Sequence, residues 1–99
     1  MNPEIVEAFL HSQCYGRDRI TSSSIIERLL GISGLCLRQH INLLRRQCRP
    51  IASESKGYFY ATEAKDLEPT IQHLCNRRAA IDAAIEGLRK AQERLLGLP

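Results

Sequence analysis

Apolar residues near the amino terminus, Ile5, Val6, Phe9 and Leu10, recur at the three-and-four spacing of one helix face. Asn2 offers a capping side chain, Pro3 suits a first helical position and Glu4 lies near the positive end of the helix dipole. A first helix is therefore predicted over residues 3–15, its apolar stripe turned to the core and Gly16 as its stop. Arg19-Ile20-Thr21 is long enough only for a strand stub. The serines that follow supply caps for a second helix, Ser24 with Glu27 fitting a capping box, and Ile25, Ile26, Leu29 and Leu30 give it a broad apolar face that Gly31 ends. Ser33 then caps a third helix over residues 34–48, and Ile32 with Leu37 has the spacing of a hydrophobic staple. Two helices joined this tightly cross at a steep angle, the layout of a helix-turn-helix.

At 100° per residue the third helix gathers Leu37, Ile41, Leu44 and Cys48 on one face, with His40 at its edge. Leu35, Gln39, Asn42 and Arg46 fall on the opposite side, flanked by Arg38, Arg45 and Leu43, so the outer face has amides and guanidinium groups but no carboxylate. Pro50 forbids further helix, and residues 51–53 and 58–60 read as two short strands of a hairpin over residues 50–60, with Gly57 free to supply a positive φ in the turn. From Leu67 onward the apolar spacing alternates between four and three. Leu67, Leu74, Ile81, Leu88 and Leu95 take the d positions of a heptad seam, while Ile71, Arg78, Ile85 and Gln92 take the a positions. Pro69 belongs in a first turn, which starts this helix near Glu68. The chain divides into a domain over residues 1–62 and a coiled-coil arm over residues 63–99.

Composition narrows the function. With 99 residues, 43% of them hydrophobic, the chain supports one small domain with a thin core, which a partner subunit would help to stabilise. It has no apolar run long enough to span a bilayer and its first residues lack a secretion-signal layout, so a soluble cytoplasmic protein without membrane contacts is expected. Cys14, Cys36, Cys48 and Cys75 stand singly, without the paired spacing of a zinc site, and read as reduced thiols. No metal, cofactor or small-molecule effector is predicted. Neither a glycine-rich phosphate loop nor paired carboxylates nor a nucleophile with its base is present, so no catalytic residues are assigned and the chain is not read as an enzyme. The three histidines are isolated from one another and read as ordinary side chains. The net charge of +3 hides an uneven distribution: between Glu27 and Glu54 there is no acidic residue, and Arg28, Arg38, Arg45, Arg46 and Arg49 give that stretch +5. Such a block is the footprint of a surface that faces phosphates, or of a solvated helix face. The arm is neutral, with six acidic and six basic residues in 62–99, and is not expected to supply the main phosphate contact.

The run from Ile32-Ser33-Gly34 to Arg45-Arg46-Gln47, then Pro50-Ile51, a short polar loop and Gly57-Tyr58-Phe59-Tyr60, resembles the small winged helix-turn-helix proteins of bacteria, phages and prophages. The resemblance covers residues 3–62. It implies a mainly α fold with a small β-hairpin wing and a long C-terminal dimerisation helix, and binding of double-stranded DNA with helix 34–48 in the major groove and hairpin 50–60 beside it. The side-chain chemistry agrees. Asn and Gln match adenine and Arg matches guanine, so Arg38, Gln39 and Asn42, in the first half of the helix, are the candidate base readers. Ser33, Arg45, Arg46, Arg49 and Lys56 are the candidate phosphate contacts. Tyr58 and Tyr60 read as hairpin core more readily than as a stacking platform for bases.

For the arm, Leu67, Ile71, Leu74, Ile81, Ile85, Leu88 and Leu95 are the candidate dimerisation residues. Pairing with a second copy is favoured over folding back, because one small domain cannot cover so long a seam. Arg78 at an a position is costly to bury, and in an antiparallel pair it could reach Asp82 or Glu86 of the partner. The leading expectation is a homodimeric transcriptional regulator. The alternative is a protein-interaction module of a phage or bacterial replication or transcription assembly, docking through Leu35, Leu43 and the arm.

Overall fold

In the computed structural model, which describes residues 1–97, Asn2 caps the first helix by accepting a hydrogen bond from the Ile5 amide at 3.2 Å. This helix, α1 (Pro3–Gln13), stops two residues short of the predicted end. Tyr60 claims the backbone beyond it: its amide donates to the Cys14 carbonyl at 2.7 Å, and its carbonyl accepts from the Gly16 amide at 2.8 Å. Residues Arg17–Arg19 form a 3-10 turn, so the expected strand stub shrinks to Thr21, which exchanges two backbone hydrogen bonds with Tyr58 at 2.9 and 3.0 Å. With Thr21 held there, Ser22 sits in an extended conformation and caps α2 (Ser23–Leu30) by accepting from the Ile25 amide. The predicted Ser24–Glu27 capping box is therefore not formed.

Gly31, at φ 67°, ends α2 in the left-handed region, and Ser33 caps α3 (Gly34–Arg46) by accepting from the Cys36 amide at 3.1 Å. The connection is only three residues long. Helix α3 ends at Arg46 rather than at Cys48, because Cys48 takes a φ of 68° and turns the chain, allowing the Arg49 amide to close on the Leu44 carbonyl at 3.0 Å. Strands β1 (Ile51–Glu54) and β2 (Gly57–Tyr60) then form the antiparallel hairpin, Ile51 opposite Tyr60 and Glu54 opposite Gly57. Gly57 is required on two counts. Its φ is 138°, and a Cβ there would lie 2.0 Å from the Thr21 carbonyl oxygen, so only glycine lets β2 lie this close to the chain before α2.

Two apolar clusters cover the hairpin. Val6 and Leu10 of α1, Ile26 of α2, and Leu37, Ile41 and Leu44 of α3 pack with Ile51 in the larger, with Tyr58 and Tyr60 lying half-buried against it. Ala52, Phe59 and Ala61 form the smaller, joined by Ile20 and Leu67. Arg17 staples this second cluster: its guanidinium lies 5.3 Å from the Phe59 ring centroid, pairs with Glu54 at 2.7 Å and comes within 3.6 Å of the buried Asp66 carboxylate. The domain is too thin to bury every predicted core residue, and Ile5, Ile25 and Leu29 remain exposed.

A 3-10 turn (Ala64–Leu67) leads into α4 (Glu68–Leu95), with Pro69 in its first turn as predicted. Leu67 is not free for the seam, since it packs on Ala52, Phe59 and Ala61 of its own domain. Thr70 is buried and fixes the helix to β1: its hydroxyl accepts from the Ser53 amide at 3.0 Å and donates to the Ser53 carbonyl at 3.2 Å. Both free groups of an edge-strand residue are thereby satisfied. Thr70→Val keeps the shape and leaves both groups unpaired, so urea unfolding is expected to show a loss of about 1–3 kcal/mol.

Candidate nucleic-acid interface

The exposed face of α3, the hairpin and the first turns of α4 enclose an open groove of about 660 Å³. Helix α3 lines one side, because burial of Leu37, Ile41 and Leu44 turns Arg38, Gln39 and Asn42 outward. Arg45, Arg46, Lys56 at the hairpin tip, and Ser22 and Ser23 line it too. All three predicted base readers and three of the five predicted phosphate contacts thus border one concavity.

The other two lie elsewhere. Ser33 is committed to capping α3. Arg49 turns toward α1, where its Nε pairs with a Glu7 carboxylate oxygen at 2.9 Å that also accepts from the Tyr60 hydroxyl at 3.2 Å. Partial burial and the Glu7 carboxylate hold the Tyr60 phenol above its ordinary value.

Arg45 differs from its neighbours. Its Nε donates to the Ile51 carbonyl at 2.9 Å and its Nη2 to the Ser53 hydroxyl at 3.1 Å, tying α3 to β1. Burial lowers its guanidinium below the ordinary value, with Tyr58 opposing the shift and Arg77 adding to it. It remains a cation at neutral pH, but one whose donors are partly spent on the fold. Arg38 leans back over Gly34, where a Cβ would lie 3.2 Å from both its guanidinium and the Glu27 carboxylate.

Helix α4 supplies a wall that residue spacing did not disclose. His73, Leu74 and Arg77 border the same groove. They follow from Thr70: residues 70, 73, 74 and 77 share one helix face, and the Thr70–Ser53 bonds turn that face toward the hairpin. The arm's zero net charge concealed this, because an average over 38 residues says nothing about one face.

The charge balance is one-sided. Among the described residues, Arg38, Arg46, Lys56 and Arg77 make no ion pair, and the carboxylate on the groove, Glu54, is held by Arg17 Nη1 at 2.7 and 2.8 Å. Uncompensated cations over amide side chains suit a polyanion that also presents hydrogen-bonding edges. No described helix is long and apolar enough to cross a membrane. Comparison of the chain with models of known protein families, with curated proteins and with solved structures yields no significant match.

The two adjacent arginines should separate in a stability assay. Arg45→Ala is expected to cost about 1–3 kcal/mol, because it strips the Ile51 carbonyl and Ser53 hydroxyl of a charged donor. Arg46→Ala should stay within about 0.5 kcal/mol of the parent. Equal effects in thermal unfolding would contradict the division of roles.

Proposed function

We propose that this chain is a sequence-specific double-stranded DNA-binding protein of the winged helix-turn-helix kind, acting as a homodimeric transcriptional regulator. The observation that carries the proposal is the convergence of Gln39 and Asn42 on one groove with four cations that make no ion pair among the described residues, Arg38 and Arg46 of α3, Lys56 of the hairpin and Arg77 of α4. In this reading α3 enters the major groove. Arg38, Gln39 and Asn42 read base edges, Gln39 and Asn42 matching adenine and Arg38 matching guanine. The hairpin is the wing, and Lys56 reaches a flanking phosphate. Arg46 and Arg77 hold the sugar-phosphate strand that passes between α3 and α4, while Arg45 chiefly braces the wing. The arm brings two such domains together, since Ile81, Ile85, Leu88 and Leu95 are each between 44% and 89% exposed, a seam that a second copy would cover.

The second reading, a protein-docking module, has its own support in Leu29 and Leu35, which are 65% and 60% exposed on α2 and at the start of α3. The two separate by charge. A fluorescent duplex should bind with an affinity that falls steeply with salt, and Arg46→Glu with Lys56→Glu should weaken binding at least tenfold while leaving the thermal midpoint unchanged. Unchanged duplex affinity in that variant, or no binding at low salt, would overturn the DNA reading and leave the docking surface standing.

A further inference from the structure

We infer that the arms pair antiparallel, in the register that opposes Ile85 of one chain with Leu88 of the second copy. The inference rests on the homodimer reading above and adds the orientation and spacing of the two grooves.

The groove disfavours the parallel alternative. Leu74 occupies a seam position and also borders the groove, next to Arg77 and His73. In a parallel pair every seam residue meets its own copy. Leu74 would then close on Leu74, bringing the two basic grooves against each other, and Arg78 would meet Arg78 in the same core layer with Arg77 beside it. Like charges held this way oppose pairing. An antiparallel pair sends the two domains to opposite ends of the arm and leaves each groove open.

Charge then chooses the register. In antiparallel coiled coils a positions meet d positions, and e positions meet e positions. The register that opposes Ile81 with Ile85 sets Asp82 against Asp82 of the second copy. One heptad along, Ile85 meets Leu88, Ile81 meets Gln92 and Arg78 meets Leu95, and the same step sets Asp82 against Arg89 twice across the two-fold axis. Ala84 and Ala91 meet on the other flank, where small side chains allow close approach. Arg78 falls near the end of the paired segment, so its guanidinium can reach water along the apolar stem. Apart from the half-buried Ala91, these positions are exposed on α4, and Asp82 and Arg89 make no ion pair among the described residues.

This register fixes a length. At 1.5 Å per residue, Arg77 and His73 lie about 30–40 Å along the arm from their symmetry mates, which brackets the roughly 34–36 Å of one DNA turn. The α4 walls of the two grooves are thus spaced along the arm by about one DNA turn.

Disulfide trapping in the full chain with Cys36→Ser, Cys48→Ser and Cys75→Ser tests this directly. Arg78→Cys mixed with a differently tagged Leu95→Cys should give the mixed crosslinked dimer on oxidation, and neither variant alone should crosslink to itself. Self-crosslinking of either variant would overturn the antiparallel pairing while keeping the dimer. Asp82→Arg should weaken the dimer at least tenfold in sedimentation equilibrium, with Arg89→Asp in the same chain restoring it; failure of that rescue would overturn the register. A parent chain that stays monomeric at all concentrations would overturn the homodimer reading itself.

Discussion

Ser53 is the joint on which the groove depends. Its backbone amide and carbonyl are both taken by the Thr70 hydroxyl of α4, and its own hydroxyl accepts from Arg45 of α3. Three elements meet at one residue of a four-residue strand. Without that joint α4 is held beside the hairpin only by the packing of Leu67 and the approach of Arg17 to Asp66 just before the helix, and the α4 wall of the groove is less firmly placed. The hydrogen bonds individually are ordinary, but each satisfies a group that partial burial leaves without water, so the arrangement is held as much by the cost of breaking it as by the strength of the bonds.

The same economy governs the hairpin. Two strands alone are marginal in water. Here β2 is bound on its second edge by Thr21 and by the chain around Cys14 and Gly16, and both hairpin faces are covered, one by the helices and the other by Ile20, Leu67 and Arg17. This gives a domain with a thin core a rigid edge from which Lys56 projects. Gly57 is the point where side-chain bulk would break it, because the backbone before α2 occupies the space of a Cβ.

Much of this was legible in the residues. Asn2, Gly31, Ser33 and Pro69 mark helix ends by local chemistry, and each does so where local rules place it. Several of the failures share one cause, which is long-range pairing that outweighs a local preference. Tyr60 shortens α1, and Tyr58 fixes Thr21 so that Ser22 rather than Ser24 becomes the cap. Leu67 fits the heptad but serves the domain instead. At the groove, helix periodicity suffices to turn Arg38, Gln39 and Asn42 outward, whereas Arg45, Arg49 and Arg77 are sorted by contacts across the fold that spacing does not encode.

The central claim is that the groove is one surface for a nucleic-acid strand, contributed by α3, the hairpin and α4 together. Titrating isotope-labelled protein with a short duplex and following its backbone amides tests this most directly. Amides of residues 38–46, 55–57 and 73–77 should shift together with one affinity, while those of residues 5–13 stay in place. Shifts confined to the surroundings of Leu29 and Leu35, or none at low salt, would contradict it.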